Sequence, residues 1–155
     1  MTRVDTSHGS YILFTVAGTT YALSSGEVRH MEMIDGITRV PNAPSFVDGV
    51  VFSRGQVVPV VNLRVRFGFE RAAFDLRSRL IVVQSGSRLI GLVVDAAREF
   101  VAIPPELIQP PNEALSGMSG RYVEGIASMR DRLVLILSLE RILNFAEPLT
   151  VDLRT

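Results

Sequence analysis

Short apolar runs separated by turn residues dominate the chain. That is the pattern of β-strands rather than of amphipathic helices. Tyr11–Val16 turns at Ala17-Gly18-Thr19 and resumes at Tyr21–Leu23. Val28–Ile34 is a further strand, closed by the turn pair Asp35-Gly36. Thr38–Pro44 holds two prolines and an asparagine, so it reads as an extended crossing segment. Val47–Phe52 and Val57–Val61 flank Ser53-Arg54-Gly55-Gln56, a hairpin turn with a glycine where one is needed. Pro59 cannot donate to a ladder, which places that strand partly at an edge. Asn62 is a good cap for one or two helical turns through Phe67.

Gly68 to Arg77 reads as a linker. Strands follow at Arg79–Gln84, Leu89–Val94 and Phe100–Ile103. Pro104-Pro105-Glu106-Leu107 has the prolines of a helix start. Gln109–Gly120, rich in Pro, Gly and Ser, is expected to be the most mobile internal loop. Tyr122–Met129 and Leu133–Leu137 are strands around Arg130-Asp131, and Ser138 caps a short amphipathic helix. Residues 1–10 and 147–155 are expected to be flexible ends.

A repeat organises these elements. Phe46–Phe67 overlays Tyr122–Leu143 at an offset of 76 without a gap, with five identities in 22 positions. The identities are Val47/Val123, Gly49/Gly125, Arg54/Arg130, Val58/Val134 and Leu63/Leu139, and Phe46/Tyr122 and Asp48/Glu124 agree in kind. The chain therefore reads as a single domain over 11–145, with a first half-barrel at 11–67 and a second at 78–145. The expected class is all-β: two pseudo-repeated five-stranded barrels packed together, with short helical turns. Each half alone would be marginal, and mutual packing supplies the missing burial. Apolar residues on consecutive positions imply strands covered on both faces, either by the sister half or by a partner protein.

Composition narrows the chemistry. The 155 residues carry 16 basic and 16 acidic side chains, and every basic one is arginine. Lacking cysteine and lysine, the chain has no thiolate metal ligand, disulfide, Walker-A lysine or Schiff-base lysine. Net neutrality gives no long-range attraction to nucleic acid or anionic lipid. There is no apolar run of membrane-helix length and no signal-peptide pattern, so a cytoplasmic protein without direct membrane insertion is expected.

Of the two histidines, His8 lies in the polar N-terminal arm and His30 in a strand, with Glu32 on the same strand face. Neither has a second ligand at metal spacing, so His30 reads as a surface or interface residue. No catalytic motif, metal site or cofactor is expected. Arg130 reads as a solvated turn residue; Arg54, followed by Gly55 between apolar strands, suits a protein contact.

The run VPNAPSFVDGVVFSRGQVVPVVNLRVRF resembles the signature of the CheW family of chemotaxis coupling proteins, which typically reads near IPNAPxFIxGVINLRGxIVPVVDLRxRF. RLIGLVVDAAREFVAIPPELIQPPN and YVEGIASMRDRLVLILSLERIL resemble its second half, and the likeness spans Tyr11 to Phe145. The resemblance implies two SH3-like barrels and no enzymatic activity. It also implies an adaptor joining the cytoplasmic tip of methyl-accepting chemoreceptors to the regulatory domain of a CheA-type histidine kinase. Such proteins reach membrane or cytosolic receptor arrays through their partners.

On the same basis, Val28, His30, Glu32, Arg54, Gly55 and Val57 are candidates for the receptor interface. Val40, Pro41, Pro44, Phe46 and Gly49 are candidates for the kinase interface. In many members a glutamate stands at the place of His30 and pairs with the arginine matched by Arg54. Here Glu32 is expected to take over part of that role. Phe52-Ser53 replaces the usual Asn-Leu, which points to a specialised partner. Two other readings carry less. A stand-alone β-barrel binding a small molecule would need a roomy pocket with convergent polar groups. A nucleic-acid-binding barrel would want a basic stripe and more than 7% aromatics.

Overall fold

The computed structural model describes residues 9–111, 119–130 and 132–145. Both expected flexible ends fall largely outside that range, as does most of the Gln109–Gly120 loop. Eleven strands are present among the described residues. The first five are β1 (Ser10–Val16), β2 (Thr19–Ser24), β3 (Val28–Met33), β4 (Val47–Ser53) and β5 (Gln56–Asn62). They are followed by β6 (Arg79–Ser85), β7 (Arg88–Val94), β8 (Ala96–Ala102), β9 (Ile108–Gln109), β10 (Val123–Met129) and β11 (Arg132–Leu137). Single helical turns at Leu63–Arg66 and Leu139–Ile142 are capped by Asn62 Oδ1, which accepts from the Val65 amide, and by Ser138 Oγ, which accepts from the Arg141 amide. The proline pair at Pro104-Pro105 starts only one 3-10 turn, Pro105–Leu107, before the chain extends into β9.

The chain is all-β, two packed barrels of the SH3-like kind. One sheet has the order β8-β1-β2-β11-β10-β9 and the other β3-β6-β7-β5-β4. This corrects the boundaries expected from the repeat. The second barrel is the continuous stretch Val28–Val94, and it is inserted between β2 and β8 of the first. Residues 11–67 and 78–145 thus do not each build a barrel. Each half donates its leading hairpin, β1–β2 or β6–β7, to the sheet that holds the third strand and closing hairpin of the other half.

The connector after the second of these hairpins explains why. Asp95 alone separates β7 from β8. To return beside β6, the chain would have to cross two strand spacings, about 9.6 Å. A one-residue link spans at most ~7 Å between flanking Cα atoms. The strand therefore runs on into the neighbouring barrel. The hairpins then meet their closing partners in parallel, β2 on β11 (Tyr21 opposite Leu135) and β7 on β5 (Gly91 opposite Val60). The β7 ladder covers only Val60–Asn62 of β5, which leaves Pro59 on a stretch with no neighbour on that side.

Alternation along β1 shows how consecutive apolar residues are all used. Leu13 points into the first barrel with Ala22, Val134 and Ile136. Ile12, Phe14 and Val16 face the seam and pack with Val61, Phe67, Ile81, Leu92 and Leu139. A third cluster, Val51, Val58, Val60, Leu80, Val82 and Val93, fills the second barrel. The second cover for these strands is the sister barrel.

Candidate docking surfaces

The β4–β5 hairpin turns on Arg54 (φ 51°) and Gly55 (φ 84°), both left-handed. That backbone matches the right-handed twist of the flanking strands, at a cost of about 1–2 kcal/mol for a residue with a Cβ. Arg130 repeats it in the β10–β11 hairpin at φ 52°. Arg54 is exposed, and its guanidinium has no ion-pair or hydrogen-bond partner among the described residues. Directly across the ladder behind it stand Phe52 and Val57, 75% and 65% exposed. The hairpin tip thus presents a guanidinium on a two-residue apolar platform.

His30 and Glu32 do not reach Arg54. His30 Nε2 lies 2.7 Å from Glu32 Oε2 and 3.2 Å from Ser53 Oγ. Ser53 Oγ donates to Glu32 Oε2 at 2.8 Å. The expectation that Glu32 would pair with Arg54 is therefore replaced by a β3–β4 lock, in which buried Ser53 is the third member. These two strands stand at opposite ends of the sheet order, so the lock, with the backbone bridge Thr38–Val50, helps close the barrel. Of the proposed receptor-facing group, Arg54, Gly55 and Val57 share the hairpin, His30 and Glu32 form the lock, and Val28 packs on the seam.

The proposed kinase-facing residues divide similarly. Val40, Pro41 and Pro44 line one open groove of about 790 Å³, whose far wall is Arg71 and Phe74 of the linker. Arg71 holds the linker there by donating to the Ser45 carbonyl at 2.6 Å and pairing with Asp48. Gly49 is buried and lies behind this surface. Its φ is 141°, and a Cβ there would stand 2.1 Å from the Thr38 carbonyl oxygen. Phe46 turns into the seam, stacked on Phe145 at 5.0 Å.

The seam contains a residue that pattern reading did not single out. The Arg66 guanidinium lies over Phe46 at 4.5 Å, Phe145 at 4.9 Å and Tyr122 at 5.0 Å. Its Nε donates to the Ile142 carbonyl at 2.9 Å and its Nη2 to the Asn144 carbonyl at 3.2 Å. Burial lowers its pKa from the ordinary value; Tyr122 opposes that shift and Arg121 adds to it. The repeat-related aromatics Phe46 and Tyr122 were the available signal. A second tie across the barrels is Arg64, which donates from Nε and Nη2 to Asp95 at 2.8–3.1 Å. Asp95 Oδ2 also accepts from the Ala17 amide at 2.8 Å, which fixes the β1–β2 turn.

The sequence profile of the CheW-like domain matches residues 10–147. The chemotaxis protein CheW of Klebsiella aerogenes is 28% identical over 148 residues, covering 96% of this chain and 89% of its own length. That of Helicobacter pylori is 33% identical over 133 residues, covering 86% and 80%. The crystal structure of the scaffolding protein TtCheW from Thermoanaerobacter tengcongensis superimposes with a TM-score of 0.82 at 30% identity, covering 89% of this chain and 94% of that one. Two packed all-β barrels carrying exposed hairpins share the architecture of that scaffolding protein. The chain belongs to the CheW-like domain family.

Proposed function

We propose that this protein is a non-enzymatic coupling adaptor, joining a chemoreceptor's cytoplasmic tip to the regulatory domain of a CheA-type histidine kinase. The observation that carries the reading is the β4–β5 hairpin. It displays an uncommitted Arg54 between exposed Phe52 and Val57, at a tip the internal packing does not need. A planar guanidinium on an apolar platform suits a carboxylate on a partner helix. The groove of Val40, Pro41 and Pro44 is a separate surface, and an adaptor with two partners requires two.

We assign the hairpin to the receptor and the groove to the kinase. The His30–Glu32–Ser53 lock leaves Arg54 free where the family's usual glutamate would hold it, which supports a specialised receptor. Affinity measurements with the isolated receptor tip and kinase regulatory domain test this. Arg54→Ala should weaken receptor binding and spare kinase binding. The reverse result would invert the surfaces, and loss of neither would return Arg54 to a solvated turn.

A further inference from the structure

At the barrel seam, away from the β4–β5 hairpin, an open cleft of about 440 Å³ is lined by Arg66, Arg121, Tyr122, Arg141, Asn144 and Phe145. Among the described residues, no carboxylate lines it. Three arginines elsewhere do have an acidic partner: Arg64 pairs with Asp95, Arg71 with Asp48 and Arg132 with Glu99. In a chain of net charge +0, three guanidiniums around one cleft without an acid form a local excess.

Their bonding leaves capacity. Arg66 is oriented by its three rings and spends Nε and Nη2 on carbonyl oxygens. Arg141 donates Nη1 to the Val123 carbonyl at 3.2 Å. Arg121 is exposed, and its guanidinium makes no hydrogen bond or ion pair among the described residues. A guanidinium has five N–H donors, so most of these remain available. Arg121 also presses on the already desolvated Arg66, so an anion entering the cleft would relieve a repulsion as well as accept bonds.

We propose that this cleft binds an acidic segment of a partner protein, with glutamate or aspartate carboxylates set between Arg121 and Arg141 and the segment's stem on Phe145. The planar fork of arginine matches a carboxylate with two parallel bonds. The space exceeds what a lone oxyanion fills and lies in the range of ligand-sized pockets. The half-buried Phe145 ring supplies an apolar wall for side-chain methylenes. This inference is independent of the adaptor reading, because it concerns a different surface.

The test is a titration of the full chain with a hexaglutamate peptide, followed residue by residue by amide chemical shifts at low and high ionic strength. Saturable shifts should centre on Arg121, Tyr122, Arg141 and Asn144 and weaken at high salt. The exposed pair Arg121→Gln and Arg141→Gln together should cut affinity by about tenfold or more, with the melting temperature lower by at most a few degrees from the lost Arg141 bond to the Val123 carbonyl. Arg54→Gln should leave it intact. Absence of saturable shifts, or affinity untouched by the double variant, would overturn the proposal. Inorganic phosphate binding the same residues as tightly as the peptide would overturn the assignment to a protein segment and leave a plain oxyanion site.

Discussion

Phe46 and Tyr122 hold the same place in the two sequence repeats, and in the folded chain both rings contact Arg66, 4.5 Å and 5.0 Å from its guanidinium. The repeat thus supplies its own clamp. Arg66→Ala would remove three cation–π contacts and two donated bonds and leave two carbonyls short of a partner. A loss of about 2–3 kcal/mol is expected. Arg66→Lys keeps the charge but not the fork and should recover only part of it. Chemical denaturation of the two variants checks the order.

Gly49→Ala should be more damaging than Gly125→Ala, although the two are repeat equivalents. At Gly49 the added Cβ meets the Thr38 backbone, which cannot move without breaking the Thr38–Val50 bridge. At Gly125 it meets the Ile108 Cγ2 methyl at 2.8 Å, a side-chain group that yields more readily than backbone. Losses above ~2 kcal/mol and of about 1 kcal/mol are expected, respectively. Equal melting temperatures would contradict the distinction.

Glu27 has a pKa raised by burial and, secondarily, by Glu124. A carboxyl whose folded pKa exceeds its unfolded one favours folding while protonated and loses that contribution as pH rises through the folded value. Glu27→Gln should therefore raise the melting temperature at pH 7. The gain should vanish as pH falls below 4.5, the ordinary value for the group. A pH series of thermal melts on wild type and variant reads this directly.

Arg54→Asn separates stability from function. Asparagine tolerates the left-handed conformation better than arginine, so the melting temperature should hold or rise by a degree or two. Receptor binding should weaken as with Arg54→Ala. A fall in stability would show that Arg54 supports the fold.

The strands, both helix caps and the left-handed hairpins were legible because each rests on local chemistry. Asn62 and Ser138 cap the next turn wherever it sits, and Arg54-Gly55 bends the chain within four residues. The candidate surface was legible only in part. Arg54, Gly55 and Val57 follow from one hairpin, but Ser53 joins His30 and Glu32 from 21 residues or more away. No local signal marks Arg66, because the partners of its cage lie as far along the chain as Phe145.

By itself, the sequence determined an all-β chain built from two copies of one strand pattern, since alternation, turns and caps act over a few residues. Which hairpin joins which sheet was decided only in three dimensions. A one-residue connector at Asp95 bars the β6–β7 hairpin from its own half, and burying the second face of strands such as β1 requires the opposite barrel. Both are constraints of distance and packing between segments far apart in the chain, and a linear pattern of apolar residues does not encode them.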